Sequence, residues 1–507
     1  MIGKVFLIGG GPGDPGLITL RAVECLRKST LVVYDYLVNK QLLDYVPPEA
    51  EKIYVGKKGG EHSYSQSEIN ELIIEKAKAG EIVAHLKGGD PFLFGRGGEE
   101  AQAVARAGIS FEIIPGVSSA FAIPAYAGIP VTHRDYSSSV HIITGQEGSE
   151  KISSKIDYSL LARIDGTLIF LMGMKNLDKL VSDLLNNNKS LETPVAVIRW
   201  GTLPEQETLV STLGSVVKDV EERHFEPPCV IVIGDVVNLR KELIWFEKKP
   251  LFRKRIAITR PESQGVEFIE AFENLGAEVF SCPTIKISPM DSSLLIDKEI
   301  MRLNEYNWII FTSSNAVRIF MERVFEIGRD SRALGNVKVC VIGTKTGESL
   351  FEYGIIPDLI PKEFIQEGIL KDLKINPKDK VLLPRASLAR DLLPVRLQEM
   401  GAIVEVIPLY ETIADGNGIK KLKNLLNTNT ADIVTFTSSS TVLSFTRTMD
   451  EMERMRLFKS VAVASIGPIT SKVLRTEGVK VDIEAKEYTT QGLIKAILEY
   501  FNVSTNA

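Results

Sequence analysis

The sequence predicts an α/β protein of several lobes, with a duplicated pair of lobes in its second half. Three observations carry this. The chain has 507 residues, 44% hydrophobic and 25% charged, an ordinary globular composition; at about 100–200 residues per domain this length makes three or four lobes. Short β-branched runs alternate with longer amphipathic segments, the pattern of buried strands joined by helices. Three blocks of the second half recur in register 124 or 125 residues later.

In chain order, the strand-like runs of the first half are KVFLIG, TLVVYD, IVAHLKG, FEIIPG, VHIITG, TLIFLMG, PVAVIRWGT and PPCVIVIGDVV, with helical segments such as Glu68 to Ala79 between them. The run KKPLFRKR (Lys248 to Arg255) is charged, contains a proline and precedes a fresh strand, RIAITRP. It reads as a solvated linker, because charge runs are usually solvated. Beyond it, NWIIFTSSNAVRIF (Asn307 to Phe320) returns as DIVTFTSSSTVLSF (Asp432 to Phe445), and KVCVIGTKTGESLFEYG (Lys338 to Gly354) as AVASIGPITSKVLRTEG (Ala462 to Gly478). RIAITRP and NLGAEVFSCP return as KVLLPRA and EMGAIVEVIP, matching Arg260 with Arg385, Gly276 with Gly401 and Pro283 with Pro408. So long a period makes paired lobes rather than a solenoid, and clefts between lobes commonly bind ligands.

Composition excludes several classes. Residues 1–250 carry 27 Lys+Arg against 32 Asp+Glu, and residues 251–507 carry 33 against 33, so neither half has the basic excess of a nucleic-acid binder. The four cysteines are far apart with no CxxC, which supports neither a disulfide framework nor a metal site. The longest weakly polar stretch, Val117 to Val131, holds Pro124 and Pro130 and is too short to span a bilayer. The start enters a strand-like run without a signal-peptide pattern, so a cytoplasmic location is expected. All five histidines lie at or before His224; chemistry in the second half must proceed without imidazole.

Gly11-Pro12-Gly13-Asp14-Pro15-Gly16 is a literal GxGxxG after a strand, with Asp35 ending the next strand. That pattern reads as a dinucleotide fingerprint, but Pro12 and Pro15 remove two N–H donors that a pyrophosphate would need. The denser signal is HLKGGDPFLFGRGGEE (His85 to Glu100), where Gly88 and Gly89 permit close backbone approach to a ligand. A third cluster, PGVSSAFAIPAYAGIPVTHR (Pro115 to Arg134), has the small residues against which a flat ligand can lie.

Together with GGGPGDPGLITLRA, VVYDYLV, VGKKGGEHSYSQSEIN, FLMG and PPCVIVIGDVV, these motifs resemble uroporphyrinogen-III C-methyltransferases, in family order, over about residues 1–246. The resemblance implies a two-lobed tetrapyrrole-methylase fold, not a Rossmann one, acting as a homodimer with S-adenosylmethionine as methyl donor. Pro12, Gly88, Gly89, Asp90, Leu93, Ser118, Ser119, Met172 and Gly201 would line the cofactor site, with Asp35 as proton acceptor and Lys57 as donor. Two departures touch substrate grip: His85 stands where the family usually has arginine, and Thr144-Gly145-Gln146 where it has TGH.

After a linker at 247–253, residues 254–507 resemble uroporphyrinogen-III synthase through ITRP, FTSSNAV, VIGTKT, LLPRA, PLYET and SIGPIT. This implies two α/β lobes of interleaved chain order, one about 254–284 plus 411–507, the other about 285–410. Tyr410 would donate to a leaving hydroxyl. Thr312, Ser313, Ser438, Ser439 and Thr470 would face the cleft, the serines being equally well placed as helix caps. Arg260, Lys345 and Arg385 would take substrate carboxylates, guanidinium being suited to carboxylate forks.

The resemblances together imply a bifunctional enzyme without a metal. It would close hydroxymethylbilane to uroporphyrinogen III with inversion of the last ring, then methylate it twice to precorrin-2 for sirohaem or cobalamin-type pathways. The competing readings are a methyltransferase fused to a non-catalytic tetrapyrrole sensor, and a methylase acting on another corrin or on RNA; the charge balance argues against RNA.

Overall fold

The computed structural model describes residues 3–56, 64–146, 156–261, 265–290 and 293–502. The chain divides into two compact units, Met1–Lys254 with Phe272–Glu278, and Arg255–Ala271 with Val279–Ala507. Among the described residues, no helix is long and apolar enough to cross a membrane.

The first unit holds two five-stranded sheets. Strands β1 (Lys4–Gly9), β2 (Leu31–Tyr34), β3 (Glu51–Tyr54), β4 (Ile82–Lys87) and β5 (Ser110–Ile114) lie in the order β3-β2-β4-β1-β5, every pair parallel. Their runs are continuously apolar because both faces are covered. Phe6, Ile8, Val32 and Ala84 enter one core, while Val5, Leu7, Val33 and Val83 enter the other, as a period of two requires. Strands β6 (Val140–Thr144), β7 (Thr167–Leu171), β8 (Pro194–Arg199), β9 (Glu207–Thr212) and β10 (Cys229–Ile233) form the second sheet, in the order β6-β7-β10-β8-β9. Only β6 and β7 pair in parallel there; the other pairs are antiparallel. The short connection from β8 to β9 allows this, since parallel neighbours need a long crossover.

The second unit also holds two five-stranded sheets. One contains β11 (Arg255–Ile258) and β12 (Glu278–Ser281), the other β13 (Ile285–Pro289), β14 (Trp308–Phe311), β15 (Lys338–Val341), β16 (Lys380–Ala386) and β17 (Ile403–Ala414). The chain then returns to the first with β18 (Ile433–Phe436), β19 (Ala462–Ser465) and β20 (Ile483–Glu484). The orders are β12-β11-β18-β19-β20 and β13-β17-β16-β14-β15. The repeated blocks explain them. RIAITRP and KVLLPRA supply β11 and β16, the two FTSS blocks supply β18 and β14, and the VIG and SIG blocks supply β19 and β15. Thus β12-β11-β18-β19 has the same order as β17-β16-β14-β15, and the early strand β11 pairs with the late β18 at Ile256 and Ile433. β13 and β17 are antiparallel, joining Ile285 to Ala414.

One expectation changes. The segment 247–253 is not a solvated linker: Leu251 is fully buried, and the Lys249 ammonium lies 5.2 Å from the Trp245 ring centre. A lysine or arginine can hold its charge in water while its stem covers apolar surface, so a charge run need not be loose. The GPGDPG turn and the helix after it are separate elements. Pro15–Leu17 is a single 3-10 turn capped by Asp14, and the helix proper, Leu20–Lys28, starts from a Thr19 cap.

Candidate active site

A cavity of about 600 Å³ lies in the first unit at the carboxyl ends of β1, β2 and β4, where open parallel sheets place their ligands. Three glycine turns build its floor by backbone packing. Gly11 and Gly89 exchange hydrogen bonds of 3.3 and 2.6 Å. A Cβ on Gly116 would stand 2.3 Å from the Gly89 carbonyl oxygen, so no side chain fits there. Phe94, Arg96, Met172 and Trp200 line the same cavity with φ between 47° and 60°. Left-handed backbone at bulky residues is uncommon and concentrates at functional sites.

Of the residues singled out in the sequence, the cavity brings together Pro12, Asp35, Gly88 and Gly89 from the parallel sheet. Leu93, Ser119, Met172 and Gly201 join them. Asp90 and Ser118 do not line it. Asp90 accepts from the Phe92 and Gly116 N–H groups at 2.8 and 3.1 Å, tying two glycine turns together. Ser118 caps the helix Ser119–Tyr126 through the Ala120 N–H. Lys57 lies outside the described residues. Asp35 follows β2, and its Oδ1 accepts from the Leu37 N–H at 2.9 Å. Among the described residues its Oδ2 has no hydrogen-bond partner.

Sequence reasoning passed over a buried ionic cluster on the same cavity. His85 and Lys87 line it from β4, with Gln66 beside them. Behind them stands Glu100, only 1% exposed. Burial pushes its carboxyl up, but the hydrogen bond from His85 and the charges of His85 and Lys87 outweigh this and hold it at about 2. The signal was present in the strand itself: two ionisable side chains two residues apart in a buried run need a partner.

In the second unit, Tyr410 on β17 is buried, with its hydroxyl 2.9 Å from Ser313 Oγ. Ser313 also caps the helix Ser314–Glu326 through the Ala316 N–H. Its repeat partner Ser438 caps Ser439–Thr446 in the same way and lies 2.9 Å from Ser440. The capping role weighed for these serines is therefore real, and for Ser313 it coexists with the tyrosine contact. Arg385 is buried and engaged, donating to Asp391 at 2.5 Å and to the Arg390 carbonyl at 2.8 Å. Burial lowers the Arg260 guanidinium from its ordinary value, partly opposed by Glu267. Thr470 is buried, Thr312 and Ser439 are half-buried, and Lys345 is exposed. No hydrogen bond among the described residues joins these groups to Tyr410 except that of Ser313.

Comparison with known proteins divides along the same lines. The family model of Tetrapyrrole (Corrin/Porphyrin) Methylases matches residues 4–217, and that of Uroporphyrinogen-III synthase HemD matches residues 266–495. The porphyrin biosynthesis protein HemD of Ruminiclostridium josui is 36% identical over 503 residues, covering 98% of each chain. The S-adenosyl-L-methionine-dependent uroporphyrinogen III methyltransferase of Methanosarcina barkeri is 49% identical over 47% of this chain and 93% of its own. The uroporphyrinogen-III C-methyltransferase of Methanocaldococcus jannaschii is 49% identical over 47% of this chain and 98% of its own.

Proposed function

The chain belongs to the uroporphyrinogen-III C-methyltransferase and uroporphyrinogen-III synthase families, one in each half, and from that premise we propose that it makes uroporphyrinogen III and then methylates it twice to precorrin-2. The observation that carries this reading is the presence of both families in one chain, because the product of one reaction is the substrate of the other.

The walls of the first-unit cavity fit S-adenosylmethionine. Its volume is in the usual range for ligand pockets, about 300–1,000 Å³. Gly89 has φ +68°, and the direction its Cβ would take is open, with the nearest atom, Ser119 N, at 3.8 Å. That is a cradle a side chain would fill. Pro12, Gly88, Gly89, Leu93, Ser119, Met172 and Gly201 would hold the donor, with Asp90 and Ser118 fixing the turns. When bound, the donor supplies an electrophilic methyl whose leaving group is a neutral thioether. The protein must orient a pyrrole carbon towards it, worth up to about 7–11 kcal/mol in ideal cases. Asp35 Oδ2 would then take the proton that the methylated, cationic macrocycle sheds to become neutral again, and Lys57 would act as donor.

In the second unit, Tyr410 would give its phenolic proton to the departing hydroxyl of hydroxymethylbilane, which leaves as water, and would regain a proton from the pyrrole carbon that sheds one on ring closure, while Ser313 orients the phenol. Thr312, Ser438, Ser439 and Thr470 would hold the folded substrate. Arg260 and Lys345 would meet its carboxylates, and Arg385 would do so through exchange with Asp391. Ring inversion is then governed by the conformer the site accepts. Neither step calls for a metal ion. A homodimer paired through the first unit, which rests on the family resemblance, and a cytoplasmic location complete this reading.

The methylation half is tested by supplying uroporphyrinogen III and methyl-labelled S-adenosylmethionine to the full chain. Two labels per macrocycle are expected; an unlabelled macrocycle would refute that half of the reading.

A further inference from the structure

We propose that Glu100 is a positioning residue that holds Lys87 and His85 at the cavity wall as a receptor for one carboxylate of the tetrapyrrole; this rests on the methyltransferase reading above. His85 and Lys87 alternate on β4 and so share a face. Glu100 belongs to the first turn of the helix Gly97–Arg106, where the helix dipole favours an anion. One of its oxygens accepts from Lys87 Nζ at 2.7 Å and from Gln66 Nε2 at 2.9 Å; the other meets His85 Nδ1 at 3.1 Å. The carboxylate is thus bound from three sides and fixes both basic side chains. An ammonium has three N–H donors. Among the described residues, Lys87 uses one of them, on Glu100. The others are available to the cavity that Lys87 lines.

Carboxylate count and place both favour the tetrapyrrole over the methyl donor. Glu100 takes one N–H of the Lys87 ammonium, and the remaining donors can each meet a carboxylate oxygen. S-Adenosylmethionine offers a single carboxylate. Uroporphyrinogen III carries eight carboxylates. Lys87 follows Leu86, whose partner across the sheet is Tyr34, and Asp35 follows Tyr34. The receptor therefore stands at the strand end beside Asp35, and an arm held there belongs to the molecule whose proton Asp35 would take.

The test uses the full chain with uroporphyrinogen III as substrate and measures KM, kcat and the Kd for S-adenosylmethionine. Lys87→Gln should raise KM at least about tenfold, the scale of one charge-assisted hydrogen bond, with kcat moving less than KM and the donor's Kd unmoved. Lys87→Arg should recover part of the loss. Glu100→Gln should also raise KM, and adding Lys87→Gln to it should have little further effect, because the two act as one unit. An unmoved KM in Lys87→Gln would overturn the proposal. So would a Kd for the donor that rises with KM, which would assign the receptor to the donor's carboxylate, or factors from Glu100→Gln and Lys87→Gln that simply multiply. If Glu100→Gln does not fold, the two Lys87 variants decide alone. A wild-type chain that cannot methylate uroporphyrinogen III would instead refute the parent reading.

Discussion

Replacing Asp35 by asparagine separates proton handling from architecture. Asp35 Oδ1 accepts the Leu37 N–H at 2.9 Å, and asparagine keeps that acceptor. What changes is Oδ2, which lines the cavity without a partner among the described residues and becomes an amide that accepts no proton. A general base is typically worth about 10²–10⁴ in rate, which is about 3–5 kcal/mol of barrier at about 1.4 kcal/mol per tenfold. The structural cost is one altered hydrogen bond, about 1 kcal/mol or less, so the melting temperature should move by only a few degrees. The assay is single-turnover methyl transfer to uroporphyrinogen III, with donor binding followed by calorimetry. A fall in turnover of at least about a hundredfold with unchanged donor affinity is expected. Turnover close to wild type would remove Asp35 from the mechanism. A loss of donor affinity equal to the loss of rate would turn Asp35 into a binding residue.

Three further outcomes follow from other parts of the molecule. Tyr410→Phe removes the hydroxyl that contacts Ser313 and should slow formation of the type III isomer by about 10–100-fold, within the range of proton donors; a wild-type rate in chromatography of the ring isomers would sink the role of Tyr410. Gly116→Ala forces a Cβ to within 2.3 Å of the Gly89 carbonyl, so it should cost about 1–3 kcal/mol or more of stability and abolish donor binding; unchanged melting and binding would contradict the backbone packing described. The Glu100 carboxyl is held at about 2, below its ordinary 4.5, so its contribution is complete above about pH 5 and is lost as pH falls towards 2. At about 1.4 kcal/mol per unit, this is on the order of 3 kcal/mol. Denaturant unfolding across that window should show a flatter pH dependence in Glu100→Gln, and an unaltered slope would contradict the assignment.

The fold was legible where physics writes it into composition. Strands covered on both faces read as unbroken runs, as in Val5 to Ile8 and Val230 to Ile233, which are almost wholly buried. The repeat at Arg260 and Arg385, or Phe311 and Phe436, announced paired sheets because similar blocks fold alike. Strand direction was not legible: β8, β9 and β10 pair antiparallel, and a hydrophobic run carries no arrow. KKPLFRKR misled because Leu251 within it is buried, Lys249 lies against Trp245 and Arg253 pairs with Glu207. At the site, glycine turns were easy to find and their division of labour was not. Asp90 and Ser118 use their oxygens on backbone N–H groups, which sequence does not distinguish from binding a ligand. Glu100 stands 13 residues after Lys87 and reads as one of two acids on a helix surface; only the tertiary fold turns it under β4.

Both activities are read at once by incubating the purified full chain with hydroxymethylbilane and S-adenosylmethionine, then determining product mass and ring isomer together. A type III macrocycle carrying two added methyl groups is expected. A type I macrocycle without added methyls, the product of unaided closure, would contradict the bifunctional reading in both halves.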